Sequence, residues 1–290
     1  MNALAHQFDL IEAMGCQRWN QRRDLYRPAG EPIDTDRYGV DLVSESEARD
    51  FVAKHHYAGS LPPTRVRVGL FRSMPFRRAE LVGVAVFSVP VQAKALECYF
   101  GVDNDSGVEL GRLVLLDSVE ANGETFFVSR ACRTLKRELP GVRAVLSYSD
   151  PMERVSESGE VVKRGHYGTV YRGLSATYMG RSSKRTLVMD RRGRVISERS
   201  LSKLKNDESG AAGAYRMLRE AGGPERLFGE SGKAYVERAL REGPFVRMKH
   251  PGNLVFGWGV GSKTERSLVR RSMVSLDYPP YPSQALKLAA

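Results

Sequence analysis

Three runs of apolar, largely β-branched residues constrain this chain more than anything else in it: L-V-G-V-A-V-F-S-V-P-V at 81–91, V-E-L-G-R-L-V-L-L at 108–116 and A-V-L-S-Y-S at 144–149. Runs of this kind suit strands buried on both faces, which need helices above and below them. Between the second and third lies E-T-F-F-V-S-R-A-C-R-T-L-K-R-E-L, whose Phe127, Val128, Ala131, Cys132, Leu135 and Leu139 recur at helical spacing until Pro140-Gly141 stops the pattern. Upstream, a strand over Tyr38–Val43 runs into a capping box, Ser44 with Glu47, that opens a helix. That helix carries His55, His56 and Tyr57 towards a stop near Ala58-Gly59, and a further strand follows over Val66–Arg72. The expected fold is α/β, a mixed central sheet flanked by helices, in one domain over 37–205.

With 41% hydrophobic residues in 290, the chain can bury one large core with appendages. Residues 1–36 read as a short helix and a Pro/Gly/Asp-rich linker. Residues 206–290 read as a helical and irregular extension beginning at the Gly-rich N-D-E-S-G-A-A-G, with a hairpin around Arg192-Gly193 just before it. No apolar run approaches the roughly 18 residues of a membrane span, so no membrane partner and a cytoplasmic location are expected. Cys16, Cys98 and Cys132 lack C-x-x-C spacing and indicate neither a disulfide framework nor a zinc site.

The candidate site centres on 145–178. The third apolar strand delivers Asp150 to its end, Pro151 stops it, and after a hydrophilic insertion G-H-Y-G-T-V-Y-R-G-L-S-A-T-Y leads into an aromatic-bearing helix with Tyr171, Leu174 and Tyr178 on one stripe. Asp150 is either a general base or metal ligand, or a turn-forming aspartate before proline. Arg112, inside an apolar strand, needs a partner: Glu109 or an anionic ligand. Thr125 and Ser129 fall in the first turns of the next helix, where hydroxyls and amides suit a pyrophosphate or carboxylate, or simply cap the helix. Of the net charge of +11, twelve Lys and Arg against Asp190 and Glu198 fall between Lys163 and Lys205. This is the footprint of a polyphosphate partner, with Arg164, His166, Arg172, Arg181, Lys184 and Arg185 as DNA-binding candidates; a solvated charged face is the alternative.

The succession G-V-E-L-G-R-L-V-L, the helix at 124–139, L-S-Y-S-D-P and G-H-Y-G-T-V-Y-R-G-L-S-A-T-Y resembles the Mom family of phage DNA-modification proteins, and H-H-Y-A-G and the late Y-P-P-Y-P fit the same pattern. The resemblance implies a GNAT-like acyltransferase fold and conversion of adenine in double-stranded DNA to an N6-carbamoylmethyl (acetamido) derivative, which protects phage DNA from host restriction in the bacterial cytoplasm. It implies a catalytic set of His56 and Tyr57, matching the family's His-Tyr pair, with Asp150 and Tyr171, a set that also offers ligands for iron. It favours the ligand-binding reading of Arg112. The donor would be acetyl-CoA or another two-carbon or glycine-derived unit. The usual Gln/Arg-x-x-Gly-x-Gly/Ala phosphate loop is missing, however, and Asp117, Glu120 and Glu124 stand in its place, where they would repel a pyrophosphate. A GNAT acetyltransferase acting on a protein or small amine and a non-enzymatic DNA-binding protein are the alternatives, and the oligomeric state stays open, a homodimer included.

Overall fold

The computed structural model describes residues 32–279, together with the backbone of two strands nearer the N-terminus. Those strands, β1 (Gly15–Asn20) and β2 (Arg23–Pro28), pair antiparallel. The expected N-terminal helix is therefore a hairpin over this stretch, in keeping with the strand preference of Trp19, Leu25 and Tyr26; residues before 15 lie outside the described residues.

The chain divides into two compact units, one formed by Met1–Pro151, His166–Arg181 and Asn253–Ala290, the other by Met152–Gly165 and Ser182–Gly252. These limits differ from boundaries drawn on composition, because the Gly-rich 206–213 passage lies inside the second unit.

In the first unit the chain runs β3 (Tyr38–Leu42), α1 (Glu45–His55), β4 (Thr64–Arg72), β5 (Glu80–Ser88), α2 (Ala95–Phe100), β6 (Gly107–Leu115), α3 (Gly123–Glu138) and β7 (Ala144–Ser149). It continues with α4 (Thr169–Gly173), β8 (Thr177–Arg181), β9 (Leu254–Gly259) and α5 (Lys263–Ser272). Seven strands form one sheet in the order β8-β9-β7-β6-β5-β4-β3. Every neighbouring pair is antiparallel except β6 and β7. The mixed α/β class is as the apolar runs predict. What they do not predict is β9, which comes from the presumed C-terminal extension and sits inside the sheet between β8 and β7.

Alternation along the strands explains helices on both faces. Ala85 and Phe87 of β5, Val145 of β7 and Phe256 of β9 share a core with Phe127, Val128, Ala131 and Leu135 of α3. Val84 and Val86 of β5 pack instead with Ala48, Phe51 and Val52 of α1, while Ala144, Leu146 and Val255 meet Leu96 and Phe100 of α2 and Val269 of α5. Truncating the fully buried Phe127 would open a cavity costing about 3–5 kcal/mol. The Ser44/Glu47 capping box opens α1 as expected. Among the described residues no helix is long and apolar enough to cross a membrane.

The aromatic helix is shorter than its spacing suggests. Ser175, at φ +56, breaks α4, and Tyr178 belongs to strand β8 rather than to a helical stripe with Tyr171.

In the second unit the strand Arg185–Met189 pairs with Val195–Ile196, the expected hairpin, and with Val246–His250. Helices Glu198–Lys205, Ala211–Glu220 and Gly232–Glu242 close on Leu201, Leu204, Leu218, Tyr235 and Val236. A two-stranded ribbon, Arg154–Val155 with Val161–Lys163, completes it.

Candidate functional site

The parallel pairing of β6 with β7 lasts only from Gly107 opposite Ala144 to Glu109 opposite Leu146. Beyond that point the strands part, and unpaired backbone there needs other partners. The Ser147 hydroxyl fills the opening, 3.2 Å from the Leu110 carbonyl oxygen and 2.7 Å from the Tyr171 hydroxyl.

Tyr171 reaches this place because of the turn that the sequence singled out. The His166 amide donates to the Asp150 carbonyl at 2.8 Å, tying the chain back to the end of β7. Gly168 then takes φ +76 against Phe256, where a Cβ would lie 2.3 Å from the ring, so this position requires glycine. The Tyr171 ring is nearly fully buried, between Phe256 at 5.1 Å and Trp258 at 5.9 Å, with the edge of His166 at 5.8 Å. Burial pushes its hydroxyl up to about 12; Ser147 counters this, and the nearby Tyr57 and the Glu109 carboxylate add to it. Tyr171 is thus held as a neutral phenol.

A second group comes from α1 and β6. His56 ends α1, its amide donating to the Val52 carbonyl at 2.9 Å, and its Nδ1 accepts the Ala58 amide at 3.1 Å. The neutral ring therefore carries its proton on Nε2. The Tyr57 ring lies 4.3 Å from it. On β6 the register against β5 slips between Val86 and Phe87, which face Arg112 and Leu110, so Gly111 is the bulged residue; a Cβ there would meet Ser88 Oγ at 2.5 Å. The bulge turns Arg112 to the loop after α1, where its Nε donates to the Ser60 carbonyl at 3.0 Å. The partner of Arg112 is thus a loop carbonyl, and Glu109 acts on it only through charge.

Sequence reading undervalued Glu109. Burial raises its carboxyl above 4.5, while the Val91 amide and the Arg112 charge pull it back. Its Oε2 is buried with no hydrogen-bond partner. Tyr148, next to Ser147 on β7, is raised by burial and then by its neighbours Tyr99 and Glu109. A carboxylate with an idle buried oxygen among phenols and a guanidinium is the environment of a general base. The only sequence signal was a charged residue inside an apolar run.

The other expected groups are placed separately. Thr125 Oγ1 donates to the Asn122 carbonyl at 2.9 Å, and Ser129 lines a cleft that neither Thr125 nor Arg112 lines. In the connection before α3, Glu120 accepts from the Tyr38 hydroxyl at 2.6 Å and pairs with Arg37 at 3.5 Å. Of His56, Tyr57, Asp150 and Tyr171, the set offered for iron, Tyr171 has its hydroxyl bonded to Ser147. Among the described residues no group of three His, Cys, Asp or Glu side chains is disposed to share a metal.

The DNA-binding candidates fall in both units. His166, Arg172 and Arg181 belong to the first, where the Arg172 guanidinium lies over the Tyr278 ring at 4.8 Å and donates to the Pro279 carbonyl. Arg164, Lys184 and Arg185 belong to the second. There the charge of the basic run is partly neutralised: Arg191 pairs with Glu157 at 3.3 Å, Arg194 with buried Asp190 at 2.8 Å and Arg199 with Glu208 at 2.9 Å. Lys163 is buried, donating to the Met152 and Arg164 carbonyls. Most of Y-P-P-Y-P lies outside the described residues.

No curated protein matches this sequence. Among solved structures the chain is similar to a tandem GNAT protein from the clavulanic acid biosynthesis pathway, solved without AcCoA, at 10% identity over 78% of this chain and 99% of that one. The TM-score of 0.38 is too low to argue from. The match that identifies the chain is to a family, over residues 37–221, well beyond half of its length. On that match the chain belongs to the Mom protein family, whose proteins modify phage DNA.

Proposed function

We propose that this protein is a transferase that places a carbamoylmethyl (acetamido) group on N6 of adenine in duplex DNA, shielding phage DNA from host restriction. Adenine N6 is a weak nucleophile because its lone pair is delocalised into the ring, so its proton must be taken as the new bond forms. In the step inferred here N6 attacks the carbon of an activated two-carbon donor, the donor's bond to its leaving group breaks with the electron pair, and the N6 proton passes to a carboxylate. One observation carries this reading: where the pairing of β6 with β7 ends, Glu109 keeps a buried Oε2 with no hydrogen-bond partner, and its charge reaches the neutral phenol Tyr171. Glu109 is the base best supported by its surroundings, Asp150 at the end of β7 is the second carboxylate, and Arg112 holds the loop that presents His56 and Tyr57. Electrostatic preorganisation of this kind, with donors fixed before the reaction, is where enzymes gain most.

Nucleoside mass spectrometry of DNA from cells expressing the protein tests this. The unmodified chain should yield a new adenine adduct, and Glu109→Gln should reduce it by about 10²–10⁴-fold, the usual contribution of a general base. Unaltered adenine from a soluble, folded preparation would sink the reading. If the same preparation acetylates a protein or small amine from acetyl-CoA, an acetyltransferase takes its place.

A further inference from the structure

Away from the β6/β7 opening, the first unit has a cleft of about 720 Å³ between the later turns of α3, the turn from α4 to β8, and the β9–α5 connection. Its wall is Trp258, and its rim carries Arg133 and Arg137 of α3 and Arg266 and Arg270 of α5. Cations concentrated around a cleft repel one another, and proteins normally relieve this with carboxylates. Here the cleft's carboxylate, Glu265, is already spent: it takes Lys136 at 2.8 Å and the Ser262 amide at 2.7 Å. The side chains of Arg133, Arg266 and Arg270 have no ion pair or hydrogen bond among the described residues, while Arg137 pairs with Glu138 at 2.9 Å.

The aromatic wall is held in place as well. Trp258 stacks on Tyr171 and packs with Cys132 against the core, so the indole is held from behind and lines the cleft. A fixed aromatic face with four guanidiniums at its rim matches a flat aromatic group bearing phosphate. The volume is that of a small-molecule site, too small for a DNA double helix and sufficient for one nucleotide.

We propose that this cleft binds a single nucleotide, its base against Trp258 and its phosphates at Arg133, Arg137, Arg266 and Arg270. The inference is independent of the adenine chemistry above. The nucleotide has two possible sources, a free nucleotide in solution or a nucleotide swung out of a DNA strand, and both present the same chemistry.

Calorimetric titration of the full chain with ADP, with adenosine and with a single-stranded DNA 12-mer tests it. ADP or the 12-mer should bind, and adenosine, lacking phosphate, should bind at least about 10-fold more weakly than whichever of them does. The variant Arg266→Ala/Arg270→Ala, altered only at exposed side chains, should weaken that ligand by about 10-fold or more. Binding of ADP identifies the free source, and binding of the 12-mer without ADP identifies a nucleotide within DNA. Adenosine binding as tightly as ADP and the 12-mer, no binding of any of the three, or affinities unchanged in the double variant would overturn the proposal.

Discussion

Tyr171 is held as a phenol by its surroundings, and this determines what it can contribute. With its hydroxyl pushed up to about 12, it can donate or accept a hydrogen bond at neutral pH but cannot serve as a phenolate. Tyr171→Phe should keep the ring packing against Phe256 and Trp258, cost about 0.5–1.5 kcal/mol in chemical unfolding for the lost hydrogen bond, and lower adduct yield; an unchanged yield would remove Tyr171 from the site. Glu109 gives a pH test with a definite sign. A base must be ionised to act, and burial raises this carboxyl above 4.5, so adduct formation should climb with pH through a midpoint above 4.5. A pH profile of the reaction in vitro checks this, and Asp150→Asn moving that midpoint more than Glu109→Gln would reverse the two roles. At this scale the placement of Asp150 at a strand end and of Tyr171 after a glycine-rich turn was legible, because strand end, proline and glycine are local signals. Glu109 was not, since its importance depends on where β7 leaves β6, and the partner of Arg112 depends on a bulge that only the β5 register reveals.

Among the elements, those with written boundaries were readable. Ser44 and Glu47 announce α1, and Pro140-Gly141 end α3. The same capping box recurs as S-K-T-E at 262–265, where it opens α5, yet that helix went unread because its surroundings are polar and only Val269 is buried. The short α4 and the strand identity of Tyr178 were illegible for another reason: a non-glycine residue in left-handed geometry at Ser175 overrides the helical spacing. The start of α5 also gives a pH-dependent stability. Lys136 first, and then Ser262, hold Glu265 down at about 2, so the folded state favours its charged form. Its contribution is therefore complete above 4.5 and is lost as the pH falls from 4.5 towards 2. In thermal melts Glu265→Gln should lower Tm at pH 7 and have a smaller effect at pH 2.5; an equal shift at both would show that charge is not what joins α5 to α3.

For the whole molecule, contiguity in sequence was the misleading guide. The run from Lys163 to Lys205 looks like one basic surface, but its residues belong to two compact units, and Glu157 and Glu208, just outside it, neutralise Arg191 and Arg199. Likewise β9 returns from residue 254 to the interior of a sheet begun at residue 38, a closure that local periodicity cannot express. The charge available for DNA is thus smaller than the count of the run suggests. Lys184 and Arg192, both exposed in the second unit, have side chains with no ion pair among the described residues, and they are the side chains to test as phosphate contacts. Each phosphate neutralised adds about −0.9 to the slope of log K against log salt on duplex DNA. If both side chains grip the backbone, Lys184→Ala/Arg192→Ala should make that slope shallower by about 2, with affinity reduced equally for unrelated sequences. Fluorescence anisotropy with two unrelated duplexes over a salt series measures this, and a slope unchanged by the double variant would move the DNA grip away from this part of the chain.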